Sequence, residues 1–192
     1  MKLRRIVILT LAISLLGTAS VFADSIGQRV RVFVNNNETS DPGINVDGKT
    51  MLSLREMSEA LGAIITWDDE TKDVRVFKPN VHMILLDTDK SQLFNEVERG
   101  KANFVFISQT DNLLADVYSF KVLISDPYGN AKDIVPETVF TEQKDTYNTR
   151  TKPIDYDFKY SGKYTISYMM KLSRNADYQT VGKKVITSRS TK

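Results

Sequence analysis

The sequence predicts a mostly β protein: a small α+β domain with one helix on an antiparallel sheet, followed by an all-β sandwich. Many short stretches alternate apolar with polar residues, which is the period of strands that bury one face. One stretch, residues 53–62, has helical spacing instead. The 192 residues include no cysteine. Hydrophobic burial rather than disulfides must therefore stabilise both folds.

Residues 1–23 have the parts of an export signal peptide. Lys2, Arg4 and Arg5 form a basic start, and an apolar run of 11 residues follows at 6–16. Small residues then provide a cleavage site. A membrane span needs about 20 apolar residues, so the run is too short to be a retained anchor. We expect cleavage and a mature chain without a membrane span.

The mature chain is expected to begin near Asp24 and to be secreted, either extracellular or associated with the cell wall. Removing three basic residues with the leader leaves 23 basic against 24 acidic residues. A net charge near −1 does not provide the broad positive surface that nucleic acids or anionic lipids attract. We therefore expect no nucleic-acid partner. The absence of cysteine also excludes lipid attachment through a thiol.

The first domain is predicted at residues 28–87. Residues 29–34, RVRVFV, alternate valine with arginine and indicate a half-buried strand. The Asp-Gly pair within residues 46–49, VDGK, is typical of a tight hairpin turn. Further strands are predicted at 63–67, 73–77 and 81–86.

The single helix is predicted between Ser53 and Gly62. Ser53 and Glu56 form a capping-box pattern, in which each side chain satisfies a backbone amide at the start of the helix. Gly62 readily adopts the left-handed conformation that ends a helix. Three apolar residues share one helical face and are expected to be buried on the sheet: Leu54, Met57 and Leu61.

These elements together resemble the N-terminal, or stalk, domain of copper amine oxidases. The shared features are a Gly-Lys turn at 48–49, a Leu-Arg helix start at 54–55, EALGA at 59–63, Trp67 with Asp68, and TKDV at 71–74. Ser53 stands where the family usually has proline, and serine is also a good helix cap. The resemblance covers residues 28–87. It implies a structural or interaction module that is common in secreted proteins of Gram-positive bacteria.

The family name suggests copper, but the residues do not support a copper site. The resemblance implies that the catalytic copper of these enzymes lies in another domain and is bound by histidines. This chain has one histidine, His82, inside an apolar stretch. We expect His82 to be an ordinary strand residue rather than a catalytic base. No catalytic residue, metal or cofactor is predicted.

The second domain is predicted at residues 92–190 as an immunoglobulin-like sandwich. Alternation is clear at 118–125, 154–160 and 164–172, which places four tyrosines on the apolar side of their strands. These tyrosines are expected to be internal: Tyr156, Tyr160, Tyr164 and Tyr168. Gly162 followed by Tyr164 resembles the tyrosine corner of immunoglobulin-like domains. Further strands are predicted at 93–97, 103–109 and 182–188.

The predicted function is a non-enzymatic interaction or spacer module of the cell envelope, with an unknown protein or a cell-wall polymer as partner. Aromatic residues in loops and turns are the candidate contact residues: Trp67, Tyr128, Tyr147 and Tyr178. A carbohydrate-binding module that uses exposed aromatic residues is the alternative. A hydrolase with two facing carboxylates is a third class. The acidic run 68–70 fits a solvated hairpin turn. Calcium binding by aspartates in the sandwich loops stays open: Asp111, Asp116, Asp126 and Asp133.

Overall fold

The structure is a computed structural model that describes residues 27–143 and 145–190. The predicted signal peptide lies outside the described residues. Within them the chain has 17 strands and one helix, α1 (Leu54–Leu61), which confirms the mostly β class. None of the helical structure in this part of the chain is long and apolar enough to cross a membrane. The chain divides into two compact units between Met57 and Ser58.

The first unit contains a three-stranded antiparallel sheet and a short hairpin. The sheet has the order β1-β4-β5. The bounds are β1 (Gln28–Val30), β2 (Phe33–Val34), β3 (Asn37–Glu38), β4 (Gly43–Val46) and β5 (Lys49–Met51). Asp47 and Gly48 both have positive φ, 50° and 76°, so the predicted Asp-Gly turn joins β4 to β5. The single strand predicted at 29–34 is divided between β1 and β2.

The helix begins and ends where the sequence predicts. The Oγ of Ser53 accepts a hydrogen bond from the Glu56 amide at 3.4 Å. The Glu56 carboxylate does not return to Ser53 but accepts from the amide of Ser40 at 3.3 Å. Gly62 has a φ of 69° and ends the helix in the left-handed conformation.

The prediction for the buried face of the helix is wrong at both ends. Leu54 is 45% exposed and Leu61 is 50% exposed. Met57 is half-buried, and the buried residue of the helix is Ser58. Ser58 lies four residues after Leu54 and three before Leu61, so it belongs to the same face. Only the middle of that face is covered.

The second unit holds a two-stranded hairpin and two five-stranded sheets. The hairpin pairs β6 (Ile64–Trp67) with β7 (Val74–Phe77). The first sheet has the order β10-β17-β16-β12-β13, with β10 (Glu96–Glu98), β12 (Ser119–Ser125), β13 (Ala131–Val139), β16 (Gly162–Lys171) and β17 (Gln179–Arg189). The members of the second sheet are β8 (Asn80–Asp87), β9 (Gln92–Leu93), β11 (Gly100–Asp111), β14 (Tyr147–Arg150) and β15 (Ile154–Phe158). In this sheet β11 pairs with three strands, β8, β14 and β15.

The two five-stranded sheets share one hydrophobic core and form a sandwich. Leu85 and Phe106 of the second sheet belong to the same buried cluster as Ile166 of the first sheet. Rings from opposite sheets are in contact, since Phe158 lies edge-on to Tyr164 with centroids 5.0 Å apart. Apolar surface buried between two sheets is what stabilises such a fold.

Tyr164 makes the hydrogen bond that the tyrosine-corner resemblance predicts. Its phenol oxygen accepts from the backbone amide of Tyr160 at 3.0 Å, across the turn before β16. Tyr164 and Tyr168 are fully buried, as expected from the alternation. Tyr160 is 40% exposed, which makes its predicted internal position wrong. The reason is that β15 ends at Phe158, so the alternation does not extend to residue 160.

Several strands differ from the predicted set. The structure adds β13, which contains Pro136, and β14, whose sequence YNTR has little apolar character. The strand predicted at 93–97 is two short strands in different sheets, β9 and β10. Strand β8, which is predicted as part of the first domain, pairs with β11 over eight positions. The predicted boundary near residues 87–92 lies within the second compact unit.

Candidate functional site

The β6–β7 hairpin carries an exposed apolar face. Ile65 lies opposite Val76, and Trp67 lies opposite Val74. Because alternate residues of a strand share a face, these four side chains lie together. Trp67 is 59% exposed, Val74 40% and Val76 46%. We call these four residues the Trp67 hairpin face. Contiguous exposed apolar surface is typical of interaction sites.

The turn of this hairpin is the acidic segment predicted from the sequence. The Oδ1 of Asp68 accepts from the amides of Glu70 at 2.9 Å and Thr71 at 3.1 Å. The bond from Thr71, followed by the bond from Glu70, lowers the pKa of the Asp68 carboxyl below its usual value. The Nε1 of Trp67 donates to the Oδ1 of Asp69 at 2.5 Å, which fixes the orientation of the indole. The carboxylates therefore shape the turn.

A second candidate surface lies at one end of the sandwich, around Tyr128. Tyr128 is 74% exposed in the turn between β12 and β13. Its ring meets that of Tyr160 edge-on, with centroids 4.8 Å apart and planes at 83°. Beside this pair is a cleft of about 340 Å³ whose lining includes Tyr156, Asp126 and Asp157. We call the tyrosine pair and this cleft the tyrosine cleft.

The charges of the tyrosine cleft do not favour acid catalysis. Asp126 accepts from the Asn130 side chain and from the amides of Tyr128 and Asn130, all at 2.9 Å. These bonds, led by the Asn130 side chain, lower the pKa of Asp126. Burial raises the pKa of Tyr156 to about 12. A glycosidase acid needs a carboxyl with a raised pKa, and Asp126 has the opposite shift.

Two of the four candidate contact residues are half-buried against other residues of the sandwich. Tyr147 packs against Phe120 and Phe140, with ring centroids 5.2 and 4.6 Å away, at the edge of the core. Tyr178 has its phenol oxygen 3.0 Å from the Oγ of Ser119. Both residues are half-buried. Trp67 and Tyr128 are the two that present most of their surface to solvent.

Tyr178 also belongs to an ionic cluster that no sequence pattern indicates. The ammonium groups of Lys121 and Lys171 both contact its ring, at 4.6 and 4.8 Å from the centroid. Lys171 forms an ion pair with Glu137 at 2.9 Å, and Glu137 also accepts from Ser119 at 2.9 Å. The Lys171 bond, followed by the Ser119 bond, lowers the pKa of Glu137 to about 2.

His82 lies on strand β8, as predicted, and its side chain is exposed. Gln109 lies opposite His82 on the neighbouring strand β11. In the described part of the chain, no three His, Asp or Glu side chains are grouped closely enough to hold a metal ion. This includes the four aspartates considered for calcium: Asp111, Asp116, Asp126 and Asp133.

Residues 33–112 match the family model of the copper amine oxidase N-terminal domain. This match confirms the resemblance found in the sequence and extends further along the chain than the predicted 28–87. It includes the Trp67 hairpin face and strands β8 and β11. It concerns the N-terminal domain of those enzymes and not their catalytic domain. No curated protein matches the chain.

Proposed function

We propose that the protein is a secreted, non-enzymatic interaction or spacer module at the envelope of a Gram-positive bacterium. The observation that carries the proposal is the Trp67 hairpin face. It lies within the residues that match a stalk-type domain, and it exposes a tryptophan and two valines. Tryptophan is among the residues that most often dominate binding energy in protein interfaces. The proposed partner is therefore a protein that covers this face.

Side chains of the hairpin face are a better contact surface than the β13 edge of the first sheet or the β14–β15 edge of the second sheet. A free edge binds another chain by forming new backbone hydrogen bonds. Edge strand β13 contains Pro136, and Pro153 lies between β14 and β15 on the edge of the second sheet. Proline has no amide hydrogen to donate, so it interrupts such pairing. This argues for recognition through side chains.

Retention on purified cell walls tests the interaction. One sample of walls keeps its proteins, and a second sample is treated with protease to remove them. The fraction of the purified protein that binds to each sample is measured. We expect retention that protease treatment and Trp67→Ala each reduce at least tenfold. Leu114→Ala is the matched control, since Leu114 is 72% exposed in a loop and lies outside the hairpin. Equal retention of the Trp67→Ala protein would contradict the proposed contact.

Export is tested separately by expressing the full chain in a Gram-positive host. We expect protein in the wall and medium fractions whose N-terminus lies near Asp24. An intact chain that stays in the cytoplasm would remove the envelope assignment. This outcome does not depend on the binding partner.

Carbohydrate binding is the second candidate, and the exposure of Tyr128 favours it. Tyrosine rings stack on sugar rings. Because the rings of Tyr128 and Tyr160 are nearly perpendicular, they do not form a flat double platform, and one ring would serve as the stacking surface. This alternative predicts retention on protease-treated walls that Tyr128→Ala reduces and Trp67→Ala does not change.

A further inference from the structure

The outer face of the second sheet holds a groove that is separate from the Trp67 hairpin face and the tyrosine cleft. It occupies about 270 Å³ above the adjacent strands β8, β11 and β14. On β11 the side chains of Phe106 and Ser108 are buried, so Ile107 and Gln109 face outward. We call the six outward residues the His82 groove: His82, Ile84, Ile107, Gln109, Asn148 and Arg150.

Strand register arranges these residues in two rows. His82 pairs with Gln109, which pairs with Asn148 on its other side. The second row is Ile84, Ile107 and Arg150. Neighbouring strands lie about 4.8 Å apart and alternate residues about 7 Å apart, so the two rows cover an area of about 10 by 7 Å. That area matches a single sugar ring.

The polar side chains of the groove are available to a ligand. Within the described residues, His82, Gln109, Asn148 and Arg150 make no side-chain hydrogen bond or ion pair. All four are exposed. The two amides and the imidazole offer both donors and acceptors, which suits hydroxyl groups. The two isoleucines provide an apolar floor between the polar groups.

The charge of the groove is positive. Arg150 is its one guanidinium, and no carboxylate lines it. The nearest acids on the same face are at either end and have partners of their own. Asp111 accepts from Asn80 at 2.6 Å, and Asp155 accepts from Asn103 at 2.6 Å. A guanidinium without a carboxylate partner is well suited to a carboxylate or phosphate.

We propose that the His82 groove binds a sugar that carries an acidic group, with Arg150 on the acid and Gln109 and Asn148 on the hydroxyls. The acid is a carboxylate or a phosphate, since the guanidinium recognises both. The inference rests on the proposed extracellular role, because it assigns the groove to an acidic saccharide of the kind found in wall polymers. It gives the protein a second binding surface besides the Trp67 hairpin face.

Titration calorimetry on the purified protein tests the proposal with four probes: glucuronate, glucose 1-phosphate, glucose and inorganic phosphate. We expect at least one acidic sugar to bind at least tenfold more tightly than both glucose and inorganic phosphate. Glucuronate and glucose 1-phosphate also distinguish a carboxylate from a phosphate ligand. No heat of binding with either acidic sugar at 20 mM, a concentration chosen to detect affinities of about 10 mM or tighter, overturns the proposal. Inorganic phosphate binding as tightly as the sugars also overturns it, because the groove would then recognise an anion alone.

Substitutions locate the site. Arg150→Gln is expected to weaken binding of the acidic sugar at least tenfold, and Arg150→Lys to weaken it less. Gln109→Ala is expected to weaken the acidic sugars without changing the binding of inorganic phosphate. Lys101→Gln is the matched control, since Lys101 is an exposed cation on the same face of β11, about 20 Å along the strand. An unchanged affinity of the Arg150→Gln protein overturns the proposal.

The calorimetry and the wall-retention experiment can fail independently. Acidic-sugar binding without wall retention would support the groove proposal and contradict the proposed protein contact. Wall retention that depends on Trp67, without binding of either acidic sugar, would contradict the groove proposal alone. The thermal unfolding midpoint of each variant is compared with the wild type. A variant with a lowered midpoint is replaced by His82→Ala or Asn148→Ala, for which the same loss of binding is expected.

Discussion

The side-chain amide of Gln179 bonds to both backbone polar atoms of Ile65. The Ile65 amide donates to Oε1 at 2.9 Å, and Nε2 donates to the Ile65 carbonyl at 3.2 Å. Gln143 makes the same pair of bonds with Val117, at 3.1 and 3.0 Å. In both places a glutamine side-chain amide bonds to the backbone in the way that a neighbouring strand would. The first pair attaches the Trp67 hairpin to strand β17.

Replacing Gln179 with alanine is expected to loosen the hairpin without unfolding the sandwich. Each lost hydrogen bond contributes about 1 kcal/mol, so the exchange rate of the Ile65 amide should rise roughly tenfold or more. Hydrogen exchange followed by NMR measures this rate. Gln143→Ala is the control, because it should accelerate exchange at Val117 and leave Ile65 unchanged. Unaltered protection of Ile65 in the Gln179→Ala protein would show that the pair of bonds does not hold the hairpin.

Gly62 is required at the end of the helix for two reasons. Its φ is 69°, and a Cβ at this position would lie 2.7 Å from the carbonyl oxygen of Val181. Left-handed strain and the steric contact each cost about 1–2 kcal/mol, so Gly62→Ala should lower the free energy of unfolding by about 2–4 kcal/mol. Urea unfolding followed by circular dichroism measures the change.

Gly129→Ala separates the two causes. Gly129 has a φ of 87°, but a Cβ there meets no atom within 4 Å. Its substitution should therefore cost the conformational strain alone, about 1–2 kcal/mol. Equal losses for the two alanine variants would mean that the contact with Val181 has no energetic weight.

The phenol of Tyr164 is expected to stabilise the sandwich through its bond with the Tyr160 amide. Tyr164→Phe leaves that amide without its partner and should lower the free energy of unfolding by about 1–2 kcal/mol. The buried ring itself is retained. Urea unfolding is the measurement, and Tyr128→Phe, at an exposed ring, should have no effect. A Tyr164→Phe protein as stable as the wild type would contradict the stabilising role of this bond.

The Lys171–Glu137 ion pair predicts a loss of stability in acid. Because the pKa of Glu137 is lowered in the folded state to about 2 from a usual value of 4.5, its contribution is complete above pH about 4.5. That contribution is lost as the pH falls toward 2. The midpoint of thermal unfolding of the wild type should fall as the pH is lowered through this range. The midpoint of the Glu137→Gln protein should fall less steeply. Glu98→Gln, at an exposed residue of β10, is the control and should follow the wild type.

Local patterns were sufficient to predict the helix limits and the main strands. Ser53 and Gly62 carry their signals within a few residues, and the alternation in 164–172 gives the correct buried face of β16. The positions of β8 and β13 relative to other strands were not predictable in this way. Alternation shows which side of a strand is buried, but not the sheet that the strand joins.

The candidate sites depend on neighbours that are remote in the sequence. The Trp67 hairpin face is local, and the sequence indicated one of its four residues, Trp67, as a candidate contact. The His82 groove joins residues from three separate segments, at 82–84, 107–109 and 148–150. The Glu137–Lys171 pair likewise forms only because β13 and β16 both flank β12. No spacing rule along one chain indicates such sites.

Strand β17 lies between β16 and β10, and its pairing with β10 is parallel. Glu96 is thereby aligned with Thr187, close to the last described residues. Because β17 follows the other four strands of the first sheet in sequence and separates β10 from β16, this sheet can close only after residues 179–189 have left the ribosome. Until then strand β10, whose partner in the first sheet is β17, stays unpaired while the chain is made.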